Sequence, residues 1–335
     1  MALAMPAHRF KQVDVFTVRP LFGNPVAVVF DADDLTGEQM LKVANWTNLS
    51  ETTFFQRPTV PEADYRLRIF TPTGELPFAG HPTVGSAHAA LEAGLVTKSV
   101  FTMECGAGLL PLRVDGEGAG RRIYVRAPDA EIVHEFATSV DALSEALGAS
   151  VAADPPPASA RNGPVWLFCR MESADAVAGL APDMTAVARV SRDLGVGGLA
   201  TFALVDEASH AVHVRCFAPA FGIPEDPVTG SANASLPAYL ARYGLLDRTG
   251  REYVASQGTE LGRDGRVHVR VLDEEGRAEI GGQAVTVIEG EIRLADAVKA
   301  RRGVYPELAP TLTASGGPPL VVVDNDDASS AATEQ

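Results

Sequence analysis

Two distant segments of the sequence each place a titratable side chain in a Pro/Gly turn that leads into a run of small residues. Residues 68–91 read RIFTPTGELPFAGHPTVGSAHAAL, and residues 215–236 read RCFAPAFGIPEDPVTGSANASL. When the two segments are aligned, His81 falls on Asp226, and each lies just ahead of a predicted helix. A repeat across this distance predicts two related halves that face each other, with an imidazole and a carboxylate at matching positions.

The two predicted helices open with the same three small residues, Gly85-Ser86-Ala87 in the first copy and Gly230-Ser231-Ala232 in the second. A helix N-terminus offers unpaired N–H groups and a partial positive charge, and small side chains let a ligand approach the backbone. Two such ends that point into one cleft would form a site for a carboxylate. The alternative is that the small residues only let each helix pack tightly inside a sheet.

The side chains near these turns are of types that suit proton transfer. His81 can act as a general acid or base, because an imidazole titrates near neutral pH; the alternative is a buried or capping histidine. Asp226 can hold a substrate ammonium group or assist proton transfer, or it can serve an Asp-Pro turn. Ser231 can donate to a substrate carboxylate, or it can be an N-cap. Composition and spacing alone do not choose between Glu51 and Glu75 as a further acid or base.

Composition excludes several classes of protein. The chain has 335 residues, enough for two domains, and a formal net charge of −15. Such an acidic surface repels nucleic acid and anionic membranes, so neither is an expected partner. Three widely spaced cysteines, Cys105, Cys169 and Cys216, do not form a disulfide framework. No signal peptide and no apolar run of about 20 residues is recognisable, so a cytoplasmic location is expected by default.

The hydrophobic pattern favours a strand-rich fold. Short alternating strand patterns outnumber helices, and each half of the sequence has one principal small-residue helix. We expect an α+β fold of two pseudo-repeated lobes, each a barrel-like, mostly antiparallel sheet around a central helix. The expected boundaries are 8–130 for the N-terminal lobe, 131–312 for the C-terminal lobe, and 313–335 for a poorly ordered tail. The C-terminal segment can pair back with the first lobe.

Four local predictions can be compared directly with the structure. Helices are predicted at Leu35–Trp46, with Thr36 as the cap, and near Met184–Leu194. Residues Ala152–Asn162 are rich in Pro, Ala and Ser and are predicted to be a loop. Pro237 interrupts the second small-residue helix, which is therefore predicted to be kinked or to start late.

Several other chemistries lack their characteristic sequence patterns. There is no HExxH or DxDxDG motif, and His81 and His88 have no obvious third ligand, so no metal site is expected. The GVGG at residues 195–198 is not the GxGxxG of a dinucleotide site. Neither GxxxxGK[ST] nor GxSxG occurs.

Several longer motifs, taken together, resemble one family. They are VDVFTVRPLFGNPVAVV (13–29), NLSETTFF (48–55), FTPTGELPFAGHPTVGSA (70–87), FAPAFGIPEDPVTGSA (217–232) and SQGTELGR (256–263). This combination resembles the PhzF-like isomerases of phenazine biosynthesis, which have a diaminopimelate-epimerase-like fold. The similarity runs from about Gln12 to Leu308. One departure is Asp264-Gly265, where the family often has Pro-Ser.

The resemblance implies an active site in the cleft between two lobes, no metal or organic cofactor, and a homodimer. It also implies that Glu51 is the glutamate that carries the proton. His81, Asp226 and Ser231 would complete the site, and Gly80 is the glycine beside the histidine. All of these family positions are intact in this sequence.

Two further positions bear on the type of reaction. The epimerase branch of this fold uses two cysteines as opposed acid and base, and the corresponding residues here are Ala79 and Thr229. Neither side chain exchanges a proton at neutral pH. Racemisation needs groups on both faces of a carbon, whereas one carboxylate on one face suits a proton shift along an allylic system.

The resemblance and these two positions together favour a cofactor-independent isomerase. We expect it to move a C–C double bond by acid–base catalysis in a small cyclic amino or hydroxy acid. The default substrate is the one the family acts on in phenazine producers, trans-2,3-dihydro-3-hydroxyanthranilate, within antibiotic secondary metabolism. The alternatives are a racemase or epimerase of the same fold and a non-catalytic protein that binds a small acid.

Overall fold

The strands and helices of the chain are seen in a computed structural model that describes residues 6–207 and 210–294. The strands are β1 (Ala7–Val15), β2 (Asn24–Val29), β3 (Thr52–Gln56), β4 (Tyr65–Thr71), β5 (Gly74–Leu76), β6 (Val100–Cys105), β7 (Gly108–Asp115), β8 (Arg122–Arg126), β9 (Glu131–Glu135), β10 (Ala158–Arg161), β11 (Val165–Arg170), β12 (Gly198–Glu207), β13 (His210–Ala218), β14 (Ile223–Asp226), β15 (Glu252–Gln257), β16 (Gly265–Val271), β17 (Ala278–Gly282) and β18 (Ala284–Arg293). The α-helices are α1 (Gly37–Thr47), α2 (Gly80–Glu92), α3 (Val140–Leu147), α4 (Ala174–Ala178), α5 (Met184–Asp193), α6 (Gly230–Arg242) and α7 (Leu246–Thr249).

All of these strands belong to one mixed sheet. Paired neighbours run in the order β18-β1-β2-β3-β4-β6-β7-β8-β17-β16-β15-β13-β12-β11-β10-β9, and β5 and β14 extend the sheet from β4 and β13. The parallel pairs β2–β3 and β4–β6 correspond to β11–β12 and β13–β15. The strand connections therefore repeat as the sequence does, and the fold is α+β.

Helices α2 and α6 occupy corresponding places in this repeat, because each follows the short strand β5 or β14 and precedes a parallel strand. Each helix has thirteen residues, of which ten are buried. Helix α2 contacts β1, β2, β3, β8, β17 and β18, and helix α6 contacts β9, β10, β11, β16 and β17. Their Gly, Ala and Ser residues allow strands to pack closely around them, as expected for a helix that is buried on most sides.

The helix predicted at Leu35–Trp46 is α1, and its predicted cap is confirmed. The Thr36 side chain accepts a hydrogen bond from the Gln39 backbone, and the Gln39 side chain accepts one from the Thr36 backbone. This reciprocal pair is a capping box, which satisfies two backbone N–H groups at the start of the helix. The helix predicted near Met184–Leu194 is α5, and Asp183 caps it.

Two predictions in the second half are wrong in part. Residues Ala152–Asn162 contain strand β10, which pairs with β9 and β11. Small buried residues carry this strand, so it lacks the bulky alternating pattern that usually reveals one. Helix α6 does not start late, since it begins at Gly230 and continues past Pro237. The other alternative, a kink at Pro237, stays a prediction. Tight packing of α6 against its neighbouring strands compensates for the backbone hydrogen bond that proline cannot donate.

The described residues all belong to one compact unit. Strand β18 pairs with β1, so a late segment of the chain completes the sheet beside the first strand. The lobe boundary near residue 130 stays a prediction, and the predicted tail at 313–335 lies outside the described residues. No helix in 6–207 or 210–294 is long and apolar enough to cross a membrane.

Gly85, in the middle of α2, tests how closely the helix must pack. A Cβ atom on Gly85 would lie 2.5 Å from Cγ1 of Val26 and 2.8 Å from Cγ2 of Val15. We therefore expect Gly85→Ala to lower the free energy of unfolding by about 1–2 kcal/mol, although alanine is the better helix former. The measurement is urea unfolding. Gly290→Ala, where nothing lies within 4 Å, is the control and should change stability by less than about 0.5 kcal/mol. An equally small effect at Gly85 would contradict the packing.

Candidate active site

The N-termini of α2 and α6 meet at Gly80 and Gly230. A Cβ atom on Gly230 would lie 3.0 Å from the backbone nitrogen of His81 and 3.3 Å from Cα of Gly80. The first helical hydrogen bonds come from the N–H groups of Thr83 and Asn233, so the N–H groups before them are not used within the helices. Two positively polarised helix ends therefore converge on one place.

This geometry corrects the alignment of the two repeats. The helices start at Gly80 and Gly230, so His81 is the second residue of α2, whereas Asp226 ends strand β14. The prediction that Gly85-Ser86-Ala87 opens a helix is wrong. Gly85 instead allows close packing against the sheet, and the Ser86 hydroxyl lies 2.8 Å from that of Thr53 in the core.

Glu51 and His81 lie side by side near the start of α2. Glu51 directly precedes β3, and its Oε2 is 3.3 Å from Nε2 of His81. The two side chains are only 15% and 6% exposed. Neither of these two atoms forms a well-aligned hydrogen bond with another described residue. A carboxyl oxygen and an imidazole nitrogen that are buried together without other partners are available to a ligand.

Burial changes the protonation of both groups. It raises the pKa of Glu51 from 4.5 to about 8, and the negative charge of Asp226 contributes to this rise. Burial lowers the pKa of His81 to about 3, against the opposing effect of a hydrogen bond with the Pro25 backbone. At neutral pH Glu51 is therefore mostly protonated and His81 is neutral. A carboxyl group with a pKa near 8 can act both as a base and as an acid.

Asp226 lies at the end of β14 and receives two side-chain hydrogen bonds. Nδ2 of Asn24 donates to Oδ1 at 3.1 Å, and the Thr229 hydroxyl donates to Oδ2 at 2.6 Å. Burial raises the pKa of Asp226, whereas these two hydrogen bonds oppose the rise. The fully buried Gln257 donates to the Asp226 carbonyl at 3.0 Å and to the Thr229 hydroxyl at 2.9 Å, so it fixes this turn.

Ser231, the second residue of α6, has partners from the sheet. Nε1 of Trp166 donates to Oγ of Ser231 at 2.9 Å, and Nδ2 of Asn162 donates to the Ser231 carbonyl at 3.2 Å. Because the indole can only donate, the Ser231 hydroxyl keeps its own proton for another acceptor. The arrangement presents a hydrogen-bond donor beside the helix ends.

Ion pairs distinguish Glu51 from Glu75, the other glutamate that the sequence offered as an acid or base. The Glu75 carboxylate accepts two hydrogen bonds from Arg68, at 2.7 and 2.6 Å. The equivalent pair in the second half joins Glu225 to Arg215, with both bonds at 2.8 Å. Glu75 and Glu225 are therefore structural partners of arginines, and Glu51 is the glutamate that faces the histidine.

The structure brings Glu51, His81 and Asp226 together, and it places Gly80, Gly230 and Ser231 at the adjoining helix ends. Four polar or aromatic neighbours were not singled out from the sequence: Asn24, Asn162, Trp166 and Gln257. Asn24 and Gln257 lie inside the motifs that carry the resemblance, but an uncharged amide gives no titration signal, and its role depends on contacts across the fold.

Ala79 and Thr229 are the N-caps of α2 and α6, and no cysteine occupies either place. The three cysteines are free and buried. Within residues 6–207 and 210–294, no three His, Cys, Asp or Glu side chains are grouped so as to hold a metal ion.

Known proteins are similar to this chain over most of its length. The family described as "Phenazine biosynthesis-like protein" matches residues 13–290. "Antisense-enhancing sequence 1" of Schizosaccharomyces pombe is 39% identical over 296 residues, which cover 86% of this chain and 99% of the relative. Trans-2,3-dihydro-3-hydroxyanthranilate isomerase of Pseudomonas aeruginosa is 38% identical over 285 residues, 84% of this chain and 94% of the relative.

A solved structure supports the same assignment. The Bacillus anthracis phenazine biosynthesis protein of the PhzF family has a TM-score of 0.77 and 30% sequence identity, and the match covers 87% of this chain and all of that one. The matched segment includes every residue of the candidate site, from Asn24 to Gln257. The chain therefore belongs to the PhzC-PhzF family of phenazine biosynthesis-like proteins.

Proposed function

We propose that this protein shifts a C–C double bond in a small cyclic amino or hydroxy acid by moving a proton. Membership of the PhzF family makes the chain an isomerase. The observation that carries the proposal is the buried carboxyl group of Glu51, 3.3 Å from a neutral imidazole and without a cation to pair with among the described residues. Trans-2,3-dihydro-3-hydroxyanthranilate, the substrate in the name of the Pseudomonas relative, is the default substrate.

The helix ends supply the binding site for the substrate's carboxylate. The N–H groups of the first turns of α2 and α6 and the hydroxyl of Ser231 all favour an anion at this place. A carboxylate held there lies beside Glu51 and His81. Asp226, which is negatively charged or shares a proton, can hold an amino group of the same substrate.

The chemical step moves a proton from one carbon of the substrate to another, so the atoms of the substrate are unchanged in number. Ionised Glu51 removes a proton from the carbon beside the double bond, and the electron pair of that C–H bond forms the new double bond. The electrons of the old double bond take up a proton at the distant carbon, delivered by protonated Glu51 directly or through His81. Because Glu51 has a pKa near 8, its ionised form is a stronger base than an ordinary carboxylate. The carbon skeleton is neither oxidised nor hydrolysed.

Several broader features belong to the same proposal. The two lobes with barrel-like sheets, the homodimer, the absence of a cofactor, and a place in phenazine biosynthesis in the cytoplasm all come from the resemblance. The sequence repeat and the repeated strand connections support the two lobes. Ala79 and Thr229, at the two cap positions, support an isomerase over a two-base racemase.

Replacement of Glu51 tests the function directly. We expect Glu51→Gln to lower kcat for trans-2,3-dihydro-3-hydroxyanthranilate by about 10²–10⁴-fold, because the general base is lost. Binding of a hydroxyanthranilate analogue should be largely retained. Glu75→Gln is the control and should keep turnover, since Arg68 holds that carboxylate away from the site. Near-normal turnover by Glu51→Gln, or inversion of a stereocentre in deuterated water by the native protein, would reject the proposal.

Replacement of Trp166 tests how the substrate carboxylate is held. We expect Trp166→Phe to raise KM by about 3–10-fold with little change in kcat, because one hydrogen bond that orients Ser231 is removed. Ser231→Ala should change KM in the same direction. A fall in kcat at unchanged KM would show that Ser231 has a different role.

The buried Glu51 also predicts a pH dependence of stability. The unfolded chain loses the Glu51 proton near pH 4.5, whereas the folded protein keeps it until about pH 8. This group therefore makes the folded protein less stable as pH rises across that interval. Glu51→Gln lacks this contribution, so it should gain stability relative to the native protein as pH rises. The difference between the two unfolding free energies should increase by roughly 2–4 kcal/mol between pH 5 and pH 8. Urea unfolding at both pH values measures the gain, and a constant difference would argue against a neutral Glu51.

A further inference from the structure

The carboxyl groups of Glu51 and Asp226 differ in the hydrogen bonds that they receive. Both oxygens of Asp226 accept a side-chain hydrogen bond, from Asn24 and from Thr229. Oε2 of Glu51 has no hydrogen-bond partner among the described residues and faces Nε2 of His81. Donors stabilise the ionised form of a carboxyl group, and two neighbouring carboxyl groups do not both ionise easily in a buried site.

Backbone partners fix the direction of both hydrogen bonds to Asp226. Nδ2 of Asn24 also contacts the carbonyl of Val228 at 2.9 Å, and a carbonyl can only accept. The amide therefore presents its donor side to Asp226. If the Asn24 amide group were flipped, its oxygen would face the Val228 carbonyl, and that hydrogen bond would be lost.

Gln257 fixes the Thr229 hydroxyl in the same way. The backbone N–H of Thr229 donates to Oε1 of Gln257 at 3.0 Å, which identifies that atom as the acceptor. The other end of the amide, Nε2, then donates to the Thr229 hydroxyl oxygen at 2.9 Å. This oxygen accepts a hydrogen bond from Gln257, and its own proton is directed to Oδ2 of Asp226, 2.6 Å away.

We propose that Thr229 is a positioning residue that, together with Asn24, holds the negative charge on Asp226 and so keeps the single proton of the carboxyl pair on Glu51. A proton on Oδ1 of Asp226 would meet the N–H donor of Asn24, whereas a proton on Glu51 faces Nε2 of His81, which has no other partner among the described residues. This inference deepens the proposed function, because it specifies which carboxyl group exchanges the proton. The position of the proton in the free protein nevertheless does not depend on the identity of the substrate.

The groups around the two carboxyl groups supply no positive charge that would hold the charge on Asp226. His81 from α2 is neutral, because burial lowers its pKa to about 3. Glu225 from β14 is paired with Arg215, but its charge and burial both raise the pKa of Asp226, so the hydrogen bonds from Asn24 and Thr229 act against these two effects. Burial raises the pKa of the Cys216 thiol on β13, which stays neutral. No lysine or arginine of the described segments forms an ion pair with Glu51 or Asp226, so the two donors are the main support for the charge.

Carbon-13 NMR of the full-length protein without ligand tests the assignment. Side-chain carboxyl carbons of Glu and Asp are labelled, and Glu51→Gln and Asp226→Asn identify the two resonances. We expect Asp226 to take the shift of a carboxylate at a lower pH than Glu51, which should keep the shift of a protonated carboxyl group until about pH 8. An ionised Glu51 beside a protonated Asp226 at pH 6 would overturn the proposal.

Variants of Thr229 test the cause of the effect. Thr229→Val keeps the shape but removes the donor, so Asp226 should take up the proton, and the titration midpoint of Glu51 should fall by about one pH unit or more. Thr229→Ser keeps the hydroxyl and should keep both native midpoints. Unchanged midpoints in Thr229→Val would exclude the positioning role. If that variant does not fold, Thr229→Ala removes the same donor, and the titration of the native protein still decides where the proton lies.

Activity separates this inference from the proposed function. If the native titration is as expected but trans-2,3-dihydro-3-hydroxyanthranilate is not converted, the assignment of the proton stands and the proposed substrate or reaction fails. If the protein is active, the acid limb of the kcat/KM pH profile should move to lower pH in Thr229→Val. A purely structural defect would lower activity at every pH without moving that limb, and this outcome would overturn the positioning role.

Discussion

The close approach of two helix N-termini constrains the rest of this structure. Gly80 and Gly230 lie so close together that a Cβ atom on Gly230 would be 3.0 Å from the backbone nitrogen of His81. Two helices can meet in this way only if each is surrounded by its own strands and carries small residues along its length. The Gly/Ala/Ser composition of α2 and α6 and the repeated strand connections both serve this one contact.

The same contact explains why the site carries little charge. Side chains beside the helix ends are removed from water, and burial favours the neutral forms of Glu51 and His81. Most polar groups around them are backbone N–H groups, amides and hydroxyls rather than lysines or arginines. Such groups orient an anion or a proton without introducing a fixed positive charge that would permanently ionise Glu51. The ordinary carboxylates nearby, Glu75 and Glu225, are instead paired with arginines.

Sequence patterns could predict the parts of this arrangement that depend on local periodicity. The capped helix α1, helix α5 and most strands follow directly from residue spacing, whereas β10 is built from small buried residues and has no clear pattern. The repeat is recognisable in the sequence, but the correct alignment of its two copies is not, because Gly-Ser-Ala occurs in both. Only the three-dimensional packing shows that Gly85 contacts the sheet, whereas Gly230 starts a helix. The roles of Asn24 and Gln257 depend on hydrogen bonds between distant strands, which no local pattern reveals.

The repeated backbone is nearly symmetric, but the chemistry it carries is not. Arg68–Glu75 and Arg215–Glu225 are equivalent ion pairs, and α2 and α6 start at equivalent glycines. The cap residues differ, however, because Ala79 has no side-chain donor and Thr229 has a hydroxyl that reaches Asp226. The second half thus offers two hydrogen-bond donors to Asp226, whereas Oε2 of Glu51 in the first half faces an imidazole and has no hydrogen-bond partner among the described residues. Under the proposed function, the proton on Glu51 would lie on one face of a bound substrate, which is the condition for moving it along that face rather than through the molecule.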